Sequence, residues 1–346
     1  MTTERPGAAD RPCTGDRPDV GDRPDVGDRP DVGEQPGVPP LARTALDRAA
    51  VRRRDPQWLA AAWSRGRVLV IDIAKGGVAP VRYAPGGEAA LALIDPAQAP
   101  EGDRLFLGVG PDGTPLFAVD ASLPDIDGAR PETLRDVGEK LDDLDAGVFS
   151  AAAALANWHA GHRYSPRSGQ PTTLTEGGWV RVDRDGRQMW PRTDPAMIVL
   201  IHDGVAGPDG RCLLGHNAAW PSADGSRRFS TLAGFVEPGE SAEAAVSREV
   251  LEEVGVRLRG VHYEGSQAWP YPGSLMLGFT AEADRDQAIT VDPEEIDEAR
   301  WFTRTDIRQM MAGTYRAPQT EVAMYLPMRA SIALYLIQRW LGDFGR

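Results

Sequence analysis

One segment constrains the fold of this chain more than any other, the stretch GFVEPGESAEAAVSREVLEEVGV at 234–256. Ser241 is a favourable N-cap and Gly255 marks a C-terminal stop, so the pattern predicts a helix between them. Three valines spaced four residues apart form an apolar stripe along it: Val246, Val250 and Val254. Such a stripe docks on a neighbouring sheet. The segment therefore predicts a helix packed on a β-sheet in an α+β domain.

The same helix carries three carboxylates on one face, because Glu249, Glu252 and Glu253 are spaced i, i+3 and i+4. Anions this close raise one another's pKa unless a cation is present. Oxygen ligands without imidazole or thiolate select hard divalent ions, so the cluster predicts a Mg²⁺ or Mn²⁺ site. Such ions would offset the charge of a diphosphate and activate a water. A bare run of this kind is also typical of a solvated acidic helix face, in which Arg248 would pair with Glu252.

The residues before the helix favour the metal site. Gly234, Glu240, Arg248-Glu249, Glu252-Glu253 and Gly255 stand at the fixed intervals of a Nudix box, which this segment resembles throughout. The resemblance implies a mixed β-sheet sandwiched by helices. It also implies a hydrolase that cleaves a nucleoside diphosphate linked to another moiety.

The resemblance assigns roles to the acidic residues. It implies metal ligands at Glu249, Glu253 and Glu295, with the Ala233 carbonyl as a further ligand; the neighbouring Glu294 is the alternative to Glu295. Glu253 is the best candidate to orient or deprotonate the attacking water. The predicted catalytic set is Glu253, Glu249, Glu252 and Arg248.

A second motif indicates the branch of the family. Eleven residues after Gly255 begins the stretch SQAWPYPGS at 266–274, which resembles the SQPWPFPxS signature of NADH pyrophosphatases. These enzymes hydrolyse NAD(H) to nicotinamide mononucleotide and AMP. Two aromatic rings, two prolines and Gln and Ser donors make a rigid platform for a flat base and its ribose hydroxyls. The alternative is an ordinary hydrophobic loop.

The predicted substrate-binding residues follow from this resemblance. Ala268 and Tyr271 depart from the signature, although tyrosine keeps a stacking ring. Phe235 and Trp190 match aromatic positions expected to sandwich the nicotinamide, and Ala333 matches a backbone contact in the last helix. The remaining predicted substrate-binding residues are Gln267, Trp269, Pro270, Pro272, Gly273 and Ser274.

The rest of the chain divides into three further parts. Residues 1–40 contain three copies of GDRPDV and too few apolar residues to offset their ordering entropy, so we expect a disordered low-complexity tail. Residues 41–150 predict an α/β N-terminal domain without a recognisable chemical motif. Residues 193–346 predict the Nudix catalytic domain, which closes with an amphipathic helix at 331–341.

Residues 151–192 resemble the zinc ribbon that precedes the catalytic domain in this branch. The positions of the ribbon's two CxxC pairs hold Ser165, Ser168, Val182 and Asp185. Without thiolates there is no tetrahedral zinc site, so we expect a zinc-ribbon-like linker with no bound zinc. His159 and His162 lie close in sequence, but we expect them to pack or face solvent.

Charge and cysteine content limit the possible partners. The chain has 51 acidic and 38 basic residues, a net charge of −13, which argues against a general nucleic-acid binder. Two cysteines cannot form a disulfide framework, and no apolar run approaches the roughly 20 residues that span a bilayer. The sequence therefore predicts a cytoplasmic protein that does not bind membranes. The resemblance adds an expected homodimer.

The sequence thus predicts a Mg²⁺- or Mn²⁺-dependent hydrolase of the NAD(H) pyrophosphate, with NAD-capped RNA 5′ ends as a further substrate. One alternative is a Nudix hydrolase of ADP-ribose or another nucleoside diphosphate derivative. The other is a non-catalytic nucleotide-binding regulator, which would have no need to keep every carboxylate of the box.

Overall fold

The structure, a computed structural model, describes residues 37–220, 225–316 and 322–342. Most of the predicted disordered tail therefore lies outside the described residues. Its last residues are placed against the body of the protein, where the Tyr335 hydroxyl donates to the Gly37 carbonyl. A short 3₁₀ helix, Pro40–Ala42, follows and buries Leu41.

Two small sheets form the first α/β part. Strand β1 (Arg67–Ile71) pairs in parallel with β5 (Pro115–Asp120), which pairs antiparallel with β4 (Leu105–Val109). The sequence predicts strands at 67–72, 104–109 and 115–120, and the structure confirms all three. In the second sheet, β2 (Val78–Tyr83) lies between two short strands, β3 (Ala89–Leu91) and β6 (Arg130–Thr133).

Three helices accompany these sheets: α1 (Pro56–Ser64), α2 (Leu134–Val137) and α3 (Asp143–Gly161). Helix α1 begins where the Asp55 carboxylate accepts a bond from Trp58 N at 2.9 Å, with proline at the first helical position. The sequence at 43–64 predicts a pair of helices, but the segment directly before α1 forms a 3₁₀ turn, Ala50–Arg54. The alanine-rich α3 packs on both sheets, with Phe149 fully buried in their shared core.

A three-stranded antiparallel sheet links this part to the next. It consists of β7 (Thr172–Thr175), β8 (Val180–Asp183) and β9 (Gln188–Met189), with a 3₁₀ turn at Glu176–Gly178. These strands occupy the segment predicted to be ribbon-like.

A six-stranded mixed sheet forms the last part, in the order β14-β15-β10-β11-β16 with β13 also on β10. Strand β10 is parallel to β15 and antiparallel to β11 and β13. The strands are β10 (Asp194–His202), β11 (Arg211–Asn217), β13 (Leu232–Phe235), β14 (Leu258–Trp269), β15 (Ser274–Ala283) and β16 (Ile296–Thr303). A separate pair joins β12 (Arg227–Arg228) to β17 (Met324–Tyr325).

Helices cover both faces of this sheet, as predicted. Successive side chains of β10 alternate between two cores because a strand has a period of two. Met197, Val199 and Ile201 pack with the valine stripe of α4 (Ala242–Val254). Ile198 and Leu200 pack on the other face with α6 (Ile332–Leu341). Helix α5 (Arg304–Met311) packs at the end of β16.

The helices of the described ranges give no membrane span, since none combines enough length with enough apolar character to cross a bilayer.

Candidate active site

Helix α4 holds the acidic residues at a fixed edge of the sheet. The Ser241 hydroxyl accepts from Ala244 N at 3.1 Å, and Gly255 ends the helix in the left-handed region with φ of 72°. Val246, Val250 and Val254 are fully buried. The helix therefore cannot rotate to expose its apolar stripe, and its acidic face has one orientation.

Gly234 on β13 lets this helix approach the sheet. A Cβ built at residue 234 would lie 2.1 Å from the Glu249 carboxyl carbon, far inside any contact that real side chains make. The glycine thus leaves a space that the Glu249 carboxylate fills.

Three carboxylates meet beside this glycine. Glu249, Glu253 and Glu295 each offer an oxygen atom, and these atoms lie within 4.8 Å of one another. Glu295 reaches the helix because the loop before β16 is bonded to the end of α4: Thr290 N donates to Val254 O at 2.9 Å and Asp292 N to Glu253 O at 3.0 Å. Of the two neighbouring acids, the structure therefore brings Glu295 to the cluster.

The three carboxylates lie close together with little positive charge to offset their mutual repulsion. Glu253 is only 4% exposed, and its Oε2 atom is buried with no hydrogen-bond partner among the described residues. Burial first, and then the charges of Glu249, Glu295 and Glu252, raise the pKa of Glu253 to about 8. Burial likewise raises the pKa of Glu249, although Arg248 opposes the shift. An oxygen-only donor set with an orphaned buried oxygen fits a hard divalent cation.

Arg248 lies beside the cluster and forms ion pairs with the neighbouring carboxylates. Its guanidinium binds both oxygens of Glu240 at 2.9 Å, and it also donates to the Phe235 carbonyl at 3.1 Å. Its Nη1 lies 3.0 Å from Glu249 and from Glu252, so the predicted pairing with Glu252 is present. Glu252 is 59% exposed and points to this arginine, outside the three-carboxylate cluster. Glu240 had no role in the sequence interpretation beyond its place in the box.

The predicted substrate segment is a hairpin. Residues up to Trp269 belong to β14, residues 270–273 form a turn, and Ser274 pairs with Trp269 at the start of β15. The Trp269 and Tyr271 rings meet edge to face at 5.2 Å between centroids. The motif is thus a short turn between two long strands, which has less freedom than an open loop.

Two residues of the N-terminal part form hydrogen bonds to this hairpin. Asn157 on α3 donates to the Pro270 carbonyl at 2.8 Å. Arg135 on α2 donates its backbone N–H to the Tyr271 hydroxyl at 3.0 Å, and its guanidinium lies 3.8 Å from the Tyr271 ring centroid. Neither residue was singled out from the sequence, because their partners are more than a hundred positions away.

Gln267 is buried, and both the oxygen and the nitrogen of its side-chain amide form hydrogen bonds. Its side-chain oxygen accepts from Leu41 N at 3.1 Å, and its Nε2 donates to the Ala330 carbonyl at 3.0 Å. The glutamine therefore ties the start of the described chain and the approach to α6 to the end of β14.

The other predicted contact residues lie outside the 266–274 hairpin in sequence. Phe235 is 60% exposed at the end of β13 and Trp190 is 46% exposed after β9. In the described ranges neither ring stacks on another aromatic ring. Ala333 is buried in the first turn of α6, where its N–H donates to the Ser331 hydroxyl at 3.1 Å. Ala233 pairs with Ile198 across β13 and β10.

The Asp183 carboxylate joins two turns beside the three-stranded sheet of β7, β8 and β9. Asp183 accepts from Asp185 N and Arg187 N at 3.0 Å and from the Ser168 hydroxyl at 3.2 Å. His159 packs nearby, bonding to the Gly178 carbonyl and to Arg181 Nη1, both at 2.8 Å. The histidine thus has the packing role expected of it.

Comparison with known families agrees with this geometry. Residues 193–322 match the family described as the NUDIX domain, and residues 58–158 match the one described as the NADH pyrophosphatase-like rudimentary NUDIX domain. The box, the helix-covered sheet and the carboxylate cluster define a hydrolase of the Nudix class.

Two relatives indicate its place within that class. The chain is 40% identical over 309 residues to the NAD-capped RNA hydrolase NudC of Mycobacterium tuberculosis, covering 88% of this chain and 95% of the relative. It is 37% identical over 213 residues to the human NAD-capped RNA hydrolase NUDT12, covering 58% of this chain and 43% of the relative. A NUDIX hydrolase from Nitrosomonas europaea aligns over 52% of this chain and 93% of its own, at 19% identity and a TM-score of 0.35. The chain belongs to the NADH pyrophosphatase branch of the Nudix hydrolase family.

Proposed function

We propose that this protein hydrolyses the pyrophosphate bond of NAD(H) to nicotinamide mononucleotide and AMP, and that it removes NAD caps from RNA 5′ ends. The observation that carries the proposal is the cluster of Glu249, Glu253 and Glu295, with atoms within 4.8 Å, in a chain that matches a NAD-capped RNA hydrolase over almost its whole length.

Divalent metal fits the cluster. Glu249, Glu253 and Glu295 would hold it, with the Ala233 carbonyl as a further ligand, and the donors are the oxygens that Mg²⁺ and Mn²⁺ prefer. Such an ion supplies charge neutralisation at the phosphates and a lowered pKa for a bound water.

The protein's own residues then have distinct tasks. Glu253 orients the attacking water and accepts its proton at a buried oxygen that has no other partner. The water oxygen bonds to one phosphorus as the bridging P–O bond breaks, leaving two monophosphates. Arg248 keeps Glu249 in place and fixes the loop that carries Glu240, so the carboxylates are positioned before substrate arrives. Glu252 acts through Arg248, which it contacts at 3.0 Å.

Substrate recognition would use the hairpin and two exposed rings. Trp269 and Tyr271 form an aromatic turn that suits a flat base, and Gln267, whose amide is bonded within the protein, would position this turn. Phe235 and Trp190 are large aromatic residues left exposed in a single chain. We propose that a second copy completes this pocket around the nicotinamide and that the protein is a homodimer, with Ala333 contributing a backbone contact.

We also assign the protein to the cytoplasm, in support of which Cys212 is a buried free thiol and the chain has one other cysteine.

Product analysis of NADH incubated with and without Mg²⁺ or Mn²⁺ tests the proposal. We expect nicotinamide mononucleotide and AMP only when metal is present, and the same cleavage at the 5′ end of NAD-capped RNA. The panel includes ADP-ribose, because a much higher kcat/KM for ADP-ribose than for NADH would overturn the substrate assignment. No turnover of any nucleoside diphosphate derivative would favour a regulator instead.

A further inference from the structure

A basic cleft lies outside the acidic cluster. It has a volume of about 510 Å³ and opens where the N-terminal part, the linker before β10 and the end of β14 meet. Its lining includes four arginines, Arg43, Arg48, Arg53 and Arg192, and none of the described residues that line it is acidic. The volume lies within the range of roughly 300–1,000 Å³ typical of small-molecule sites. This concentration of positive charge is notable in a chain with a net charge of −13.

One of the four arginines already forms an ion pair with a carboxylate of the protein. Arg43 pairs with Asp143 at 3.0 Å and donates to the Gly138 and Leu141 carbonyls at 2.9 Å. For Arg48, Arg53 and Arg192, by contrast, no carboxylate of the described ranges lies within ion-pair distance. Within the described residues, three charges of the cleft thus form no ion pair.

Two contacts within the protein fix the position of the Arg53 guanidinium. Its guanidinium stacks on Trp179, 3.6 Å from the ring centroid, and its Nη2 donates to the Arg48 carbonyl at 3.2 Å. The indole itself is fixed by a 2.7 Å bond from Nε1 to the Phe106 carbonyl. Arg53 Nε is buried and has no hydrogen-bond partner in the part of the chain that the structure describes. Burial and the charge of Arg48 lower the pKa of Arg53 to about 10, against an opposing effect of Glu176.

We propose that this cleft is an accessory site for a nucleotide phosphate, additional to the pyrophosphate that the acidic cluster cleaves. Guanidinium groups bind phosphate oxygens with paired, charge-assisted hydrogen bonds, and an apolar surrounding strengthens them. Leu41, Ala151, Leu155 and Pro191 supply that apolar surrounding. They also suit the sugar and base that accompany a nucleotide phosphate better than they suit a free inorganic anion.

The position of the cleft links it to the substrate hairpin. Gln267 and Leu41 both line it, and these two residues are bonded to each other. Two sources can supply the phosphate: a free mononucleotide such as AMP, or the nucleotide that follows the cap in an NAD-capped RNA. The second source rests on the proposed function, whereas the first does not.

Direct binding is the first arm of the test. The full chain, kept metal-free with a chelator so that nothing is hydrolysed, is titrated with AMP, adenosine and inorganic phosphate by calorimetry. We compare wild type with Arg53→Gln and Arg48→Gln; because Arg48 is exposed, we expect the Arg48 variant to fold, and its unfolding temperature checks this. The matched control is Arg52→Gln, which removes the same charge from the same 3₁₀ turn outside the cleft.

Steady-state kinetics with metal are the second arm. If the source is a free mononucleotide, both cleft variants weaken AMP binding by about tenfold or more, adenosine binds weakly to every protein, and the control matches wild type. If the source is the RNA chain, the cleft variants raise KM for a short NAD-capped RNA about tenfold and leave KM for NADH unchanged. Unchanged AMP affinity together with unchanged KM for capped RNA would overturn the proposal. Failure of the proposed function would appear separately, as absence of NADH turnover in wild type.

Discussion

The Cα of Gly234 faces the Glu249 carboxylate so closely that a Cβ at residue 234 would lie 2.1 Å from the carboxyl carbon. Glu249 cannot swing away freely, because Arg248 Nη1 holds it at 3.0 Å. Gly234 therefore leaves room between β13 and α4 for the Glu249 carboxylate.

Gly234→Ala tests this relationship. The added methyl group must displace Glu249, so we expect kcat for NADH to fall about a hundredfold and the metal concentration for half-maximal activity to rise. Gly161→Ala is the control, since a Cβ there meets nothing within 4 Å. Wild-type kcat and metal dependence in Gly234→Ala would show that Glu249 needs no such space.

Glu253→Gln keeps the shape of the side chain and removes its charge. We expect turnover to fall by roughly a thousandfold or more, since the buried oxygen that accepts the proton is lost. The fold should persist, and the unfolding temperature at pH 7 in metal-free buffer should be at least that of wild type, because a carboxyl group whose pKa is raised to about 8 by burial and by neighbouring carboxylates destabilises the folded state at that pH. Undiminished activity would exclude Glu253 from the mechanism.

Asn157→Ala removes the hydrogen bond that the N-terminal part gives to the Pro270 carbonyl. Because Asn157 positions the hairpin and lies away from the carboxylates, we expect KM for NADH to rise about tenfold with little change in kcat. Gln57→Ala, an exposed change on α1, is the control. A fall in kcat at unchanged KM would contradict a positioning role.

The three-stranded sheet of β7, β8 and β9 should need no metal. The positions that correspond to the cysteines of a zinc ribbon hold no cysteine here. Asp183 instead joins the two neighbouring turns through hydrogen bonds to Ser168, Asp185 and Arg187. We expect far less than one zinc per chain by elemental analysis, and an unfolding temperature that a chelator selective for zinc leaves unchanged. Asp183→Asn should lower that temperature by several degrees. Stoichiometric zinc would refute the prediction.

His159 makes stability depend on pH. Burial, and then the charge of Arg181, lower its pKa from 6.5 to about 4, against an opposing bond to the Gly178 carbonyl. The unfolded chain then binds the proton more readily, so this stabilisation is complete above pH 6.5 and is lost as pH falls toward 4. We expect the free energy of unfolding to drop by about 2 kcal/mol more between pH 7 and pH 5 in wild type than in His159→Gln. Equal pH dependence of the two, measured by urea unfolding, would contradict this pKa.

The acidic helix could be predicted from the sequence because its information is local. Its cap, its valine period and its carboxylate spacing all lie within 234–256, and the structure has the helix at Ala242–Val254. Strand β14 was missed although it is long. Its pairing with β15 shifts register between Arg259 and Val261 and again between Tyr263 and Gly265, which breaks the alternation that identifies a strand.

The contacts around the hairpin could not be predicted for a different reason. Asn157 meets Pro270 across 113 positions and Arg135 meets Tyr271 across 136, and a single sequence has no spacing rule at that distance. The same holds for the basic cleft, whose arginines are spread from Arg43 to Arg192. The choice between Glu294 and Glu295 likewise depended on how the loop before β16 attaches to the end of α4.

The buried Gln267 has a consequence for biosynthesis. It is bonded to Leu41, 226 positions earlier, and to Ala330, 63 positions later. While the ribosome has not yet translated Ala330, the glutamine amide in a collapsed chain has no acceptor, and leaving it buried costs about 1–3 kcal/mol. The end of β14 therefore completes its hydrogen bonds only after the segment that carries Ala330 has been translated and has joined the fold.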